Sequence, residues 1–265
     1  MTKPVHFFLL PHQDDEFGVF YQIECIVERG ERAICFFLTD GGFGGADPTT
    51  RNEESRHVLG ALGVPASDIR FLGSDHGLLD GQLSVLLPDS FAYLKKAAEE
   101  FGLPDFIYIP AWEGGHQDHD AAHILGIAAA EFWNARDRLR QFSLYNADRC
   151  GLRPYRVLAP IVKNGPVEAL SIPVARRMRH LRLCLCYRSQ MKTFAGLLPF
   201  VAAHYALRGV QNLQEVSSSR VHERPHEGIL LYERFQKTSF ADFKNSVSGF
   251  LNAHVPLKSR KRKFE

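Results

Sequence analysis

Apolar residues fall in short continuous runs separated by longer stretches with a single apolar face. Residues 5–10 form such a run and read as a buried strand. After a polar turn from His12 to Glu16, residues 17–29 repeat at helical spacing and stop at Gly30. The alternation continues with strands over 33–38, 69–72 and 106–110 and helices over 52–62, 91–101 and 117–138, Gly63 and Gly102 ending two of the helices. Strands alternating with helices predict right-handed crossovers and a Rossmann-like α/β fold. Its sheet is mostly parallel with helices on both faces, and its ligands sit at the carboxyl ends of the strands.

After about residue 139 the pattern is less regular. It predicts strands over 142–146 and 155–161, helices over 174–187 and 192–208, and a late strand over 229–235. No repeat, low-complexity segment or linker divides the chain, so one domain over 1–265 is expected.

Composition narrows this picture. Hydrophobic residues make up 45% and charged residues 23%, and no stretch approaches the roughly 20 apolar residues of a membrane span. The N-terminus lacks a signal-type apolar region and cleavage site, which predicts a cytoplasmic protein. Five cysteines, an odd number without framework spacing, fit reduced thiols, and Cys184-x-Cys186 is assigned to core packing over metal binding. A net charge of +2 does not argue for a nucleic-acid partner. Lys258, Arg260, Lys261, Arg262 and Lys263 form a basic tail, read as a solvated terminus with anionic lipid or nucleic acid as the alternative.

Two polar clusters follow predicted strands: His12-Gln13-Asp14-Asp15-Glu16 and Glu113-Gly114-Gly115-His116-Gln117-Asp118-His119-Asp120. Either alone is ordinary loop polarity. Side by side at the ends of one sheet, their carboxylates repel unless a cation offsets them. A hydrolytic metal needs about three imidazole or carboxylate ligands, an open position for water, and a base. His12 and Asp15 can converge from one tight turn, His119 adds a ligand from a helix start, and Asp14 is left to face the water.

These residues resemble the PIG-L or LmbE-like N-deacetylases, which carry H-P-D-D-E after the first strand and H-x-D-H later. The resemblance implies that His12, Asp15 and His119 hold one zinc and that Asp14 is the general base. It further implies that His116 assists the tetrahedral intermediate and that Asp118 orients a neighbouring histidine. Thr39-Asp40-Gly41-Gly42, Arg51-Asn52-Glu53-Glu54, Phe71-Leu72-Gly73 and Ser189-Gln190 extend the likeness, which covers most of residues 5–125 and is thin beyond. Three departures stand out. Gln13 replaces the family's proline, which loosens the turn. Asp75 stands one residue earlier than the family's Asp-Gly, and a sugar-hydroxyl role is carried to it on that offset. Gly114 stands where some members have a tyrosine.

The implied reaction is N-deacetylation of an N-acetylglucosamine-type amino sugar or its conjugate, with protonated His116 sharing the oxyanion charge. The other two readings are an amidase for a non-acetyl amide (a thiol conjugate or acylated natural product) and a non-hydrolytic nucleotide-sugar module binding magnesium. His116 and His119 argue against the module, since magnesium prefers oxygen ligands. On residue type alone, Asp118 also reads as a helix N-cap, and Arg51 either holds a sugar hydroxyl or phosphate or pairs with Glu54. The loop Gly41-Gly42-Phe43-Gly44-Gly45 lacks the Lys-Ser/Thr of a phosphate loop and reads as a lip beside the metal. His204, His222 and His226 stand at no ligand spacing. The apolar run 195–206 reads as a packed helix, and with the basic tail it leaves membrane contact through a lipid-linked substrate open.

Overall fold

The computed structural model describes residues 3–151 and 153–255; the basic tail lies outside them. All six residues of β1 (Val5–Leu10) are buried, and they divide by the period of two. Val5, Phe7 and Leu9 face one core, Phe8 and Leu10 the other. Only a central strand covered on both faces needs such a sequence.

Around it lie β2 (Arg32–Phe37), β3 (Ile69–Phe71), β4 (Phe106–Pro110) and β5 (Leu139–Phe142), all parallel. A short ladder joins β6 (Tyr145–Asn146) to β7 (Arg156–Val157). The main sheet is completed by β8 (Val167–Ser171) and β9 (Val210–Glu215), which run antiparallel, giving the order β3-β2-β1-β4-β5-β9-β8. Strand order reverses between β1 and β4, and a crevice opens there at their carboxyl ends. Both polar clusters begin at that crevice.

One face is covered by α4 (Leu87–Ala98), α5 (Gln117–Phe132) and α9 (Phe240–His254), the other by α1 (Phe20–Glu28), α2 (Pro48–Ala61), α6 (Val174–Cys184) and α7 (Met191–Leu207). Two short helices, α3 (Leu72–His76) and α8 (Leu231–Phe235), complete the set. Asp47 caps α2 by accepting from the Thr49 and Thr50 N–H groups, with Pro48 pre-set for the first turn. That start lies ahead of the expected one. Cys184 is buried in the second core with Cys186 packed against it. Among the described residues, no helix is long and apolar enough to cross a membrane.

The C-terminal half departs from expectation in several places. The helix expected to reach residue 138 ends at Phe132, and the strand expected from 142 begins at Leu139, because Leu139 pairs with Ile107 of β4. The strand expected over 155–161 shrinks to two residues. The predicted strand over 229–235 is instead the helix α8, whose Glu233 accepts the Leu230 N–H at 2.9 Å and so fixes a helical first turn. β8 has a mostly exposed side-chain pattern and β9 a mixed one, so neither shows the apolar run of a central strand.

Gly73 marks where the sheet meets the crevice: a Cβ there would lie 1.9 Å from the Thr39 carbonyl carbon, a main-chain atom that cannot swing aside. Gly73→Ala is therefore expected to destabilise the fold by about 1–3 kcal/mol or more through overpacking. Gly44→Ala, with open space around its Cβ and only a positive φ to strain, is expected to lose about 1 kcal/mol. Denaturant unfolding of the two variants tests the difference.

Candidate active site

The chain leaves β1 through a turn built by its own side chains. The His12 N–H donates to Asp15 Oδ2 (2.8 Å), the Asp14 N–H donates to a Glu16 carboxylate oxygen (2.9 Å), and Thr39 Oγ1 donates to the Pro11 carbonyl (2.8 Å). Asp14 is thereby held at φ 113°, a conformation that costs a non-glycine residue about 1–3 kcal/mol. Arg51, buried in α2, spans the same turn, donating to the Gln13 and Gly41 carbonyls. Gln13 is fully buried where the family's proline is expected. Its Nε2 donates to Asn52 Oδ1 at 2.6 Å, and Asn52 in turn donates to Ser74. The turn is fastened by hydrogen bonds in place of a pyrrolidine ring, not loosened.

The second cluster begins α5. His116 is the N-cap, its Nδ1 accepting the Asp118 N–H at 3.1 Å, so the capping role expected of Asp118 belongs to His116. Asp118 is free for other bonds. It accepts the Gly81 and Leu83 N–H groups at 2.6 and 3.1 Å and lies 3.2 Å from His12 Nε2.

The two turns meet. Asp15 Oδ2 is 3.2 Å from His12 Nδ1 and its Oδ1 is 3.1 Å from His119 Nε2. The His116 ring stands edge-on to His12 with centroids 4.6 Å apart, and ring nitrogens of His12, His116 and His119 lie within 4.8 Å of one another. His119 Nδ1 is buried without a hydrogen-bond partner among the described residues and Nε2 meets only the Asp15 carboxylate, a state that a bound cation and its shell would relieve. Two imidazoles and a carboxylate, with a third imidazole alongside, match the donor types of a catalytic divalent metal. A second group, His12 with Asp80 and Asp118, lies on the other side of the His12 ring.

Charge is tightly coupled across this cluster. Burial opposes ionisation of His12, but Asp80 and Asp15 outweigh it and hold the ring well above its usual pKa. For Asp15, His119 and His12 likewise outweigh burial and hold the carboxyl well below the usual range. Burial raises Asp14 to about 8 against the pull of Arg51, whose guanidinium lies 3.5 Å away. Burial and the neighbouring His12 lower His116 to about 3, which favours the neutral imidazole. With Nδ1 committed as an acceptor, its proton sits on Nε2.

Asp75 does not join the site. It is exposed on the outer side of the single-turn α3, which Gly77 ends in a left-handed conformation. The chain then folds back, and Asp80 takes the inward position, 3.1 Å from His12 Nε2 and 3.7 Å from Arg51. Arg51 does not pair with Glu54 either; Glu54 accepts from the Ser189 N–H and Oγ across the cleft. Two further residues escaped sequence reading. Tyr145 lines the cleft with its ring edge-on to His119 (5.3 Å), and Glu113 fixes it by accepting the Leu144 and Tyr145 N–H groups. The cleft has a volume of about 660 Å³. Phe43 and Gly44 to Ala46 form one lip as expected, and the turn into α7 forms the other. His204 and His226 bond to the Val210 and Glu227 carbonyls, outside the cluster.

The sequence profile of the PIG-L family, GlcNAc-PI de-N-acetylase, matches residues 7–130. No curated protein matches the chain. Solved structures that share the fold include the following three. A deacetylase of teicoplanin biosynthesis is 16% identical, with a TM-score of 0.59 over 80% of this chain and 98% of its own. A conserved protein from Thermus thermophilus is 23% identical, with 0.58 over 80% and 93%. The N,N'-diacetylchitobiose deacetylase from Pyrococcus horikoshii is 20% identical, with 0.52 over 79% and 82%.

Asp118→Ala would leave the buried Leu83 and half-buried Gly81 main-chain N–H groups without this partner and free the loop that carries Asp80. A loss of about 1–3 kcal/mol in unfolding free energy is expected, together with weaker metal binding, measured by denaturant titration and by competition with a metal indicator.

Proposed function

We propose, from the match of residues 7–130 to the PIG-L family of de-N-acetylases, that this protein is a zinc-dependent hydrolase removing the acetyl group from an N-acetylglucosamine-type amino sugar or its conjugate. The observation that carries the reading is the Asp15 carboxylate spanning His12 Nδ1 and His119 Nε2, with Asp14 beside it on the cleft wall. In this reading His12, Asp15 and His119 hold the metal. Bound there, the ion supplies Lewis acidity that acidifies water and polarises an amide carbonyl.

The remaining work falls to the chain's own groups. Asp14, whose raised carboxyl pKa a cation held by the adjacent ligands would bring down, takes the proton of the attacking water in its ionised form. The Nε2–H of neutral His116 donates to the developing oxyanion, and its Nδ1 cap keeps that tautomer through the reaction. Asp14 then returns the proton to the departing amine. Asp118 and Asp80 orient His12, while Arg51 holds the Gln13 carbonyl and so keeps Asp14 in place. Arg51 is a positioning residue that touches the cleft wall, with two of its donors engaged by main chain.

The second reading is a larger acyl group. Phe17, Phe194 and Leu197 offer apolar wall beyond what a methyl group needs. One related teicoplanin deacetylase has a zinc-inhibited form, so assays here should span several divalent ions and concentrations.

As purified, the chain is expected to carry one divalent ion, lost in His12→Ala and Asp15→Ala. Asp14→Ala should keep the ion and lose about 10²–10⁴-fold in acetate release from N-acetylglucosamine conjugates; undiminished turnover there, or after chelation, would overturn the proposal. His116→Ala should lower kcat about 10²–10³-fold with metal content unchanged, which atomic absorption decides.

A further inference from the structure

Helix α6 presents an outer face that no other described element covers. Val174, Met178, Leu181 and Leu185 recur at i, i+4, i+7 and i+11, which places them in one straight stripe. Val174 is 68% exposed, Met178 51% and Leu185 48%, with Leu181 half-buried beneath them. Surface helices normally point such a stripe inward, and this helix already buries His180, Leu183 and Cys184 on its other side.

The charged residues of α6 itself are all arginines. Arg176 and Arg179 are engaged by Glu24 and Glu28 of α1 and anchor the helix. Arg182, Arg188 and Lys192 have no acidic partner within ion-pair distance among the described residues. Continuity links the stripe to the active-site cleft. Arg182, Leu185 and Arg188 line a groove of about 490 Å³ against the start of α2, whose Glu53 and Glu54 there are engaged by Arg56 and Ser189, and Arg188 and Lys192 also line the cleft, with Met191, 41% exposed, between them. An apolar stripe flanked by unpaired cations is the composition of a helix that lies in the surface of an anionic bilayer, its side chains entering the headgroup and acyl boundary.

We infer that the outer face of α6 docks on an anionic lipid surface and sets the mouth of the cleft beside it. The inference rests on this surface alone and is independent of the reaction proposed above. The experiment is sedimentation of the full chain with phosphatidylglycerol-containing vesicles and with pure phosphatidylcholine vesicles. The chain should bind the anionic vesicles at low salt, release from them at high salt, and bind the neutral ones more weakly. Met178→Glu combined with Leu185→Glu should lower partitioning at least about tenfold, with the unfolding midpoint unchanged because both side chains are exposed. Arg182→Glu with Arg188→Glu should remove the preference for anionic lipid. Asp14→Asn should bind as the unaltered chain does, so failure of the catalytic reading leaves this result standing. Absence of binding at low salt, or binding that survives Met178→Glu/Leu185→Glu, would overturn the inference. So would a dimer in analytical ultracentrifugation that the same double substitution dissolves, since a second copy would then occupy the face.

Discussion

Asp14, Asp15, Asp80 and Asp118 crowd around one imidazole, and the arrangement depends on that crowding being neutralised. Buried carboxylates repel and are poorly solvated, so they persist only where counter-charge and hydrogen bonds compensate. His12 is the hub: Asp15 faces Nδ1, Asp80 and Asp118 face Nε2. Arg51 supplies the permanent positive charge, and main-chain N–H groups satisfy Asp118. What is left over is negative potential beside His119, whose Nε2 meets Asp15 Oδ1 and whose Nδ1 has no hydrogen-bond partner among the described residues. A site built this way attracts a divalent cation, and the same electrostatics keep the ligands poised for it.

Helix α2 carries that demand into the shape of the cleft. Its Arg51 reaches back to the Gln13 and Gly41 carbonyls, and Glu54, one turn on, reaches forward to Ser189 at the opposite lip. One helix therefore sets both the conformation of Asp14 and the distance across the cleft. Gln13 fits the same scheme. A proline would fix the turn through its ring, whereas the glutamine fixes it through Asn52 and adds a second tether to α2. The tautomer of His116 follows from a comparable economy, because the bond that caps α5 also decides which ring nitrogen can donate.

Much of this was legible beforehand, for reasons that differ from element to element. β1 and β4 were recognisable because strands covered on both faces must be apolar throughout. The helix stops at Gly30 and Gly63 were recognisable because both take the left-handed conformation that glycine tolerates, whereas α4 ends at Ala98, ahead of the Gly102 expected to close it. β8 escaped notice because most of its side chains are exposed and it is defined only by pairing with β9. α9 is a different kind of miss. Ser239 caps it, and Phe243, Val247, Phe250 and Leu251 recur at helical spacing, so its signal lay in the chain and went unused.

The metal-site candidates were readable for the same reason that α9 was. His12, Asp14 and Asp15 occupy one turn, His116 and His119 another, and residue type within a turn is local information. Which acid faces His12 from the third strand's loop was not local. Asp75 and Asp80 look alike to any rule based on neighbours, and the choice between them was made by Asp118, which draws the Gly81 and Leu83 main chain over α5. Tyr145 entered the cleft because Glu113, thirty-odd residues away, accepts its N–H. Chemistry written within a few consecutive residues belongs to the sequence; contacts across such spans exist only once the sheet order and its buried hydrogen bonds have closed the intervening chain.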